Sequence, residues 1–302
     1  MERTEAKPAY VELDSQSDGL KKKVYVTLVS GKKSLDLYSG WDPQNGCHKN
    51  PLSVLPKEVC EFSFLQRLWA SHNCFTSLPP EIEQLTNLTE LFLHHNQLDS
   101  IPTRLCKLSN LRLLWLNNNR ISSIPYEIVQ LKSLKRLHLD NNLITEFPDY
   151  LCQLTELEIL YLNNNKISMI STSICNMVEL TRLYMHQNQI VEIPNELCLL
   201  LEKKLRLLRL DHNRISKIPD DFHHERKKAE SRKISMKFEG NPFEIRRVSP
   251  GPIMLASKDQ VGRRHSYAGK DPKETQKIHR PSVPTKFDTK FPLTESNKPS
   301  SR

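Results

Sequence analysis

Apolar side chains recur in one fixed order along most of the chain, and an asparagine marks each repeat. The first six of these asparagines lie 23 residues apart and the seventh follows after 25: Asn73, Asn96, Asn119, Asn142, Asn165, Asn188 and Asn213. One unit reads Leu88-x-x-Leu91-x-Leu93-x-x-Asn96-x-Leu98-x-x-Ile101-Pro102-x-x-Leu105-x-x-Leu108. Seven such units begin at Leu65, Leu88, Leu111, Leu134, Leu157, Leu180 and Leu205. This repetition predicts a single solenoid of stacked units.

Each unit predicts one short strand followed by a turn of helix or an extended arc. The Leu-x-Leu segment has the two-residue period of a β-strand, and we expect strands near residues 68–70, 91–93, 114–116, 137–139, 160–162, 183–185 and 208–210. The Ile-Pro-x-x-Leu-x-x-Leu segment that follows has a spacing near three, and its proline ends the strand. One unit cannot bury its leucines, but stacked units share a continuous core. The asparagine amide is suited to backbone groups left free at the bend.

Over roughly residues 50–243, the period of the repeat and its residue types together resemble those of the leucine-rich-repeat superfamily. The 23-residue period with Ile-Pro is similar to the short intracellular class, which includes Ras-pathway scaffold and Scribble-like proteins. The resemblance implies an α/β repeat fold: a curved leucine-rich-repeat solenoid, or horseshoe, with a parallel sheet on its concave face.

Three places depart from the repeat. Ser171 stands where neighbouring units have proline. Two residues are inserted near 201–204, where we expect a local bulge. A segment at Asn50 keeps the period, but Asn45 and Cys47 stand in place of its strand leucines, so we interpret it as a degenerate first unit.

The ends of a solenoid expose apolar residues and need caps. A capping hairpin is predicted near the N-terminus. Its first strand would be residues 23–29, where apolar and polar side chains alternate, and its second strand would be residues 35–37, after a Ser-Gly turn. At the other end, residues 236–243 are interpreted as a truncated last unit, preceded by a charged helix at 222–235. The expected domains are a disordered segment at 1–20, a capping hairpin and loop at 21–49, the solenoid at 50–243 and a basic disordered tail at 244–302.

Charge is unevenly distributed along the chain, whose formal net charge is +9. Residues 1–50 carry 8 basic and 7 acidic side chains, residues 51–224 carry 17 and 19, and residues 225–302 carry 19 and 9. The basic character therefore belongs to the C-terminal quarter. This distribution argues against the repeat body as a nucleic-acid clamp.

The residue inventory does not favour catalysis, a cofactor or a metal, and we expect the protein not to be an enzyme. The chain has 8 glycines, none of them in a phosphate-binding loop, and no nucleophile–histidine–acid set stands out. No Cys-x-x-Cys occurs, so a zinc site is not predicted. Histidines in or beside the strands are interpreted as polar, partly exposed positions rather than metal ligands: His72, His94, His95, His138, His186 and His212.

Cysteine usage favours a reducing compartment. Five cysteines share one repeat position, where we expect small buried side chains: Cys60, Cys106, Cys152, Cys175 and Cys198. No apolar run approaches the ~20 residues of a membrane span, and the N-terminus does not resemble a secretory signal. We therefore expect a cytoplasmic protein, with the nucleus as a second option.

Outward-facing strand positions carry the most informative side chains. The position between the two inward residues of each strand forms an aromatic column of Trp69, Phe92, Trp115, His138, Tyr161 and Tyr184. Arg209 holds the same position in the next strand. The outward position before it forms a flanking row: Arg67, Glu90, Leu113, Arg136, Ile159, Arg182 and Leu207. Trp, Tyr and Arg dominate binding hot spots, so we expect the column, Arg209, Arg136 and Arg182 to contact a partner. The alternative is that the rings stack along neighbouring strands and stabilise the sheet.

The sequence therefore predicts a protein-interaction or scaffold module in intracellular signalling. The column spans about 24 Å, which suits an extended peptide or a helix, and we expect a monomer. An adaptor that recruits a phosphatase or ubiquitin ligase is one alternative, and nucleic-acid binding through the basic tail is another. Two Arg-Arg-x-Ser strings make Ser249 and Ser266 candidates for phosphorylation.

Overall fold

One open sheet of nine parallel strands runs through the repeats. The computed structural model of the chain describes residues 34–37, 41–42, 47–48, 51–222 and 231–245. The sheet strands, in chain order and in spatial order, are β1 (Ser34–Asp36), β4 (Arg67–Trp69), β5 (Glu90–Phe92), β6 (Leu113–Trp115), β7 (Arg136–His138), β8 (Ile159–Tyr161), β9 (Arg182–Tyr184), β10 (Leu207–Arg209) and β11 (Ser235–Lys237). A separate antiparallel pair is formed by β2 (Trp41–Asp42) and β3 (Cys47–His48). This is the architecture of a leucine-rich-repeat solenoid, as the repeat predicted.

The strand register places equivalent residues of successive repeats side by side. Leu68 pairs with Leu91, and Leu91 pairs with Leu114. These middle leucines face the core and are buried. All seven strands predicted from the Leu-x-Leu pattern are confirmed, each beginning one residue earlier than expected. Because the register is constant, outward side chains form straight rows across the concave face.

Short 3-10 helices form the opposite, convex side of the solenoid. They span Lys57–Glu61, Pro80–Gln84, Leu105–Lys107, Tyr126–Gln130, Asp149–Gln153, Thr172–Asn176 and Asn195–Leu197. A proline with a fixed φ stands before most of them. Ser171 takes the same place with φ of −60°, and its hydroxyl accepts a hydrogen bond from the N–H of Ser173 at 3.0 Å. The serine therefore replaces proline by capping the helix.

The two-residue insertion near 201–204 is accommodated on the convex side. There the 3-10 helix continues into α1 (Cys198–Glu202), whose Leu200 and Leu201 are buried. The sheet register is unaffected, since Leu208 still pairs with Leu183. The predicted bulge is thus an extra helical turn and not a distortion of the strands.

A ladder of asparagines joins each repeat to the one before it. The Asn119 side-chain amide donates to the carbonyls of Leu93 and Leu116, both at 3.0 Å, and its oxygen accepts from the Leu98 N–H at 3.0 Å. The same three bonds recur at Asn73, Asn96, Asn142, Asn165, Asn188 and Asn213. The predicted role of these asparagines is confirmed.

The first rung differs from the prediction. Its strand residues are Leu35 and Leu37, which are buried, and Leu35 pairs with Leu68. The assignment of Asn45 and Cys47 to this strand was wrong. An inserted segment that contains β2 and β3 separates β1 from the rest of its repeat. The loop predicted there thus holds a short antiparallel pair. The other half of the expected capping hairpin, residues 23–29, lies outside the described residues.

The last rung follows the ladder pattern. The Asn241 oxygen accepts from the Ile215 N–H at 3.0 Å, which confirms a truncated final unit made of β11 and α2 (Pro242–Ile245). Of the charged helix expected at 222–235, Ser235 belongs instead to β11, and residues 223–230 lie outside the described part of the chain. Among the described residues, no helix combines the length and the apolar character needed to cross a bilayer. Of the expected disordered segments, 1–20 and 244–302, the second was placed two residues too early, because Glu244 and Ile245 belong to α2; the rest lies beyond the described ranges.

Candidate functional site

The six rings of the aromatic column lie on consecutive strands, β4 to β9, and contact one another in sequence. Trp69 stacks on Phe92 with ring centroids 3.7 Å apart, and Phe92 meets Trp115 edge-on at 5.1 Å. The series continues through His138 to Tyr161 at 4.2 Å, and Tyr161 stacks on Tyr184 at 4.2 Å, with planes 8° from parallel. The stacking that the sequence left as an alternative is therefore present along the whole column.

This stacking reduces the exposure of the column. Phe92 points away from the core, yet it is only 4% exposed because Trp69 and Trp115 cover its two sides. The expectation that Phe92 is exposed for direct contact was wrong. The other five rings are half-buried and present an edge or part of a face. The column therefore combines two roles, since it stabilises the sheet and offers a preordered apolar strip.

Arg209 continues the column on β10 but is already engaged. Its Nε and Nη2 donate to the two carboxylate oxygens of Asp211, at 3.0 and 2.8 Å. This two-point contact fixes the guanidinium plane. Arg209 thus closes the C-terminal end of the column as one half of an internal ion pair.

A polar row lies beside the column, two residues further along each strand. It consists of Ser71, His94, Asn117, Asp140, Asn163, His186 and Asp211. Burial lowers the pKa of His94 to about 4, assisted by the neighbouring His72 and His95. Burial also raises the pKa of Asp140 to about 6, although the Asn141 side chain donates to this carboxylate at 2.9 Å. The sequence analysis did not identify this row. Extending the two-residue alternation of each strand by two residues beyond the aromatic position would have found it.

His138 is a member of the column that also faces the polar row. Burial lowers its pKa to about 3, with a further contribution from the nearby guanidinium of Arg136. Its Nδ1 lies 3.9 Å from an Asp140 carboxylate oxygen. His138 is therefore neutral at pH 7 and behaves as one of the aromatic rings.

Three histidines beside the strands share one backbone position. His72, His95 and His212 occupy the position before a ladder asparagine and have φ between 54° and 56°. Histidine and asparagine adopt this left-handed backbone more readily than most residues. Within the described ranges, no cluster of histidine, cysteine, aspartate and glutamate has a geometry that could hold a metal ion.

Several polar atoms of this face are buried without an internal hydrogen-bond partner among the described residues. They are His94 Nδ1, Trp115 Nε1, Asn117 Oδ1 and His186 Nδ1. Three of the four belong to the repeats of β5 and β6, next to the buried Phe92. An unsatisfied polar group costs folding free energy, so these atoms offset part of the stabilisation that the stacked rings provide.

The flanking row runs along the other side of the column. Arg67 and Glu90 form a salt bridge at 2.6 Å. Further along, Arg136 and Arg182 are exposed and alternate with half-buried aliphatic residues. The structure thus brings both predicted arginines to the edge of the aromatic strip, as the alternation indicated.

A shallow recess opens beside this row at the N-terminal ends of β5 to β8. It is lined by Thr89, Glu90, Arg112, Leu113, Lys135, Arg136 and Glu158. Arg112 and Lys135 were missed by sequence reasoning, because they precede the strands and fall outside the inward–outward alternation. The candidate phosphorylation residues Ser249 and Ser266 lie beyond the described part of the chain.

Comparison with known proteins gives a consistent family assignment. Residues 99–229 match the family described as "Leucine-rich repeat region", and residues 63–105 match "Leucine Rich repeats (2 copies)". No curated protein matches the chain.

Solved structures with TM-scores above 0.5 share the fold. The chain is similar to a plant peptide hormone receptor, RGFR1, in complex with RGF2, with 28% identity over 62% of this chain and 30% of that chain, and a TM-score of 0.54. It is also similar to an internalin (inlF) from Listeria monocytogenes, with 20% identity over 69% and 61% of the two chains and a TM-score of 0.57. An LRR protein from Leptospira interrogans matches with 26% identity over 64% and 59%, and a TM-score of 0.43. The chain spans less than two thirds of the length of each.

Proposed function

The chain belongs to the leucine-rich-repeat superfamily, and we propose that it binds another protein through the concave face of its sheet. Domains of this superfamily generally mediate protein–protein interaction, and they are typically non-enzymatic. The structure of the similar plant receptor was solved in complex with RGF2. That complex supports a peptide or protein as the class of partner for this chain.

The continuous aromatic column carries the proposal. A row of six outward-pointing rings, of which five are partly exposed and two of these are tryptophans, is unusual on a soluble surface and marks an interaction site. Large aromatic side chains can bury about 150–250 Å² each, so the half-buried members can supply a substantial part of a standard half-interface of about 800 Å². Since the rings are already ordered by stacking, binding loses less side-chain entropy than it would with free rotamers.

The finer role that we propose is that of a scaffold in intracellular signalling, located in the cytoplasm with the nucleus as a second option. The buried thiols support this location. Cys60, Cys106 and Cys152 are free and buried, and burial raises the pKa of each to about 12. Such thiols act as small core residues, in agreement with their predicted role, and free thiols are typical of a reducing compartment. Cys175 and Cys198, at the same repeat position, are only partly buried.

Affinity capture with the full chain tests the proposal. The wild type is compared with Trp69→Ala/Trp115→Ala, and with Tyr126→Ala as a control, because Tyr126 lies on the convex side and is 61% exposed. Proteins bound through the concave face should be captured by wild type and control but not by the tryptophan variant. A second variant, Tyr161→Ala/Tyr184→Ala, repeats the test if the first proves unstable. Capture that is unchanged by both variants would contradict the proposal.

A further inference from the structure

Resting on the proposed function, we infer that the partner segment bound along the concave face is acidic, and that two of its carboxylates contact Arg136 and Arg182. These two arginines belong to the flanking row and lie beside the rings of His138 and Tyr184 in the aromatic column. The inference therefore adds charge to the apolar surface already described.

The flanking row places its two arginines between aliphatic side chains. From β6 to β10 it alternates between aliphatic side chains and arginine: Leu113, Arg136, Ile159, Arg182 and Leu207. The parallel register makes these direct neighbours on consecutive strands. With about 4.8 Å between strands, the two arginines lie about 10 Å apart at the sheet. The aliphatic residues are half-buried, and both arginines are exposed.

Within the described part of the chain these two guanidinium groups have no acidic partner, whereas other basic groups on this face do. Basic side chains with a carboxylate partner are Arg67 with Glu90 at 2.6 Å, Lys135 with Glu158 at 2.6 Å and Arg209 with Asp211 at 2.8 Å. Neither Arg136 nor Arg182 forms a salt bridge with any described residue. A guanidinium presents a planar fork of donors that matches a carboxylate. A carboxylate supplied by a partner would complete the pattern already present at the other three sites.

Charge and apolar character together select the occupant of this row. The C-terminal segment 225–302 carries 19 basic against 9 acidic side chains, so it has the wrong charge for this row. A nucleic acid could place phosphates on the arginines, but it would leave the aliphatic residues between them without apolar contacts. A peptide with acidic and apolar side chains matches both parts of the surface.

The spacing selects a conformation for that peptide. A polyproline II segment repeats every three residues and rises about 3.1 Å per residue, so side chains on one side lie about 9 Å apart. A β-strand places side chains of one side about 7 or 13 Å apart. The separation of about 10 Å therefore fits a polyproline II segment with Asp or Glu at positions i and i+3.

A displayed library of random peptides, selected on the full chain, tests the inference. Enriched peptides are then synthesised and titrated against wild type, Arg136→Gln/Arg182→Gln and a charge-matched control, Arg120→Gln/Arg214→Gln, whose two arginines are exposed outside the strands. We expect enrichment of acidic residues three apart. Binding should weaken about tenfold in the Arg136/Arg182 variant, as for loss of exposed charge pairs, and stay unchanged in the control. Raising the salt concentration should weaken wild-type binding more than that of the variant.

Three other outcomes separate this inference from the proposed function. Selected peptides that depend on Trp69 and Trp115 but not on the two arginines would overturn the inference and leave the proposed function standing. Peptides that depend on neither surface would overturn both. Binding of a single-stranded thymidine oligonucleotide that is lost in the Arg136/Arg182 variant would show a nucleic-acid occupant and also overturn the inference.

Discussion

The rings of Trp69 and Phe92 stack face to face across β4 and β5, with centroids 3.7 Å apart and planes 7° from parallel. Phe92 is thereby removed from solvent although its side chain points away from the leucine core. The same residues thus hold the sheet together and form its outer surface. It follows that substitutions in the column must be judged by stability and by binding together.

Phe92→Ala should lower the free energy of unfolding by about 2 kcal/mol, because it removes a buried ring and its contacts with two neighbours. Tyr126→Ala on the convex side is the control, with an expected loss of about 0.5 kcal/mol or less, as for most exposed positions. Urea unfolding followed by circular dichroism measures both. Equal stability of Phe92→Ala and wild type would show that the outward stack does not stabilise the sheet.

Asn142→Leu should destabilise the solenoid by about 1–3 kcal/mol for each backbone group left unsatisfied. The Asn142 amide donates to the carbonyls of Leu116 and Leu139 at 3.0 and 3.1 Å, and its oxygen accepts from the Ile121 N–H at 3.0 Å. Thermal unfolding is the measurement, and Gln153→Leu at an exposed convex position is the control. A melting temperature equal to that of wild type would refute the ladder argument.

Stability should fall as the pH is lowered from about 6.5 to about 4. The pKa values of His94 and His138 are lowered to about 4 and about 3, so in this range the unfolded chain binds protons that the folded chain does not. Each histidine then contributes a loss of about 1.4 kcal/mol per pH unit. Asp140 opposes this effect, because its pKa is raised to about 6 and it therefore takes up a proton at a higher pH in the folded chain than in the unfolded chain. One such carboxyl offsets the contribution of only one histidine.

Urea midpoints at pH 7 and pH 5 measure this dependence. His138→Gln should flatten it, because one of the histidines that stay neutral in the fold is gone. Asp140→Asn should steepen it, because the opposing carboxyl is removed. A wild-type urea midpoint that is higher at pH 5 than at pH 7 would contradict the role given to the two histidines.

Removing residues 250–302 should leave the melting temperature unchanged. The described core ends at Phe243, and the tail has no apolar repeat to add to it. The same truncation should reduce salt-sensitive association with acidic surfaces, since it removes much of the basic excess. Differential scanning calorimetry and binding to anionic vesicles test the two parts. A lower melting temperature would indicate that the tail packs on the solenoid.

Much of this structure could be predicted from a single sequence because the repeat is so regular. The 23-residue period determines which residues face inward, so the strand at Leu91 and the ladder bond of Asn96 follow directly. Two features could not be read in this way. The first strand at Leu35 is separated from its repeat by an inserted segment, which breaks the period, and Asn45 was assigned to it in error. The near-complete burial of Phe92 depends on the orientation of neighbouring rings, and alternation alone does not predict that orientation.

Binding of a captured partner to Trp69→Ala/Trp115→Ala shows whether the concave aromatic column is the binding surface. Isothermal titration gives the dissociation constant for wild type, for this variant and for Tyr126→Ala, with circular dichroism confirming that each is folded. For the tryptophan variant alone we expect a loss of about 2 kcal/mol or more in binding free energy, roughly 30-fold in the dissociation constant. A folded tryptophan variant that binds the partner as tightly as wild type would contradict the claim that the concave aromatic column is the binding surface.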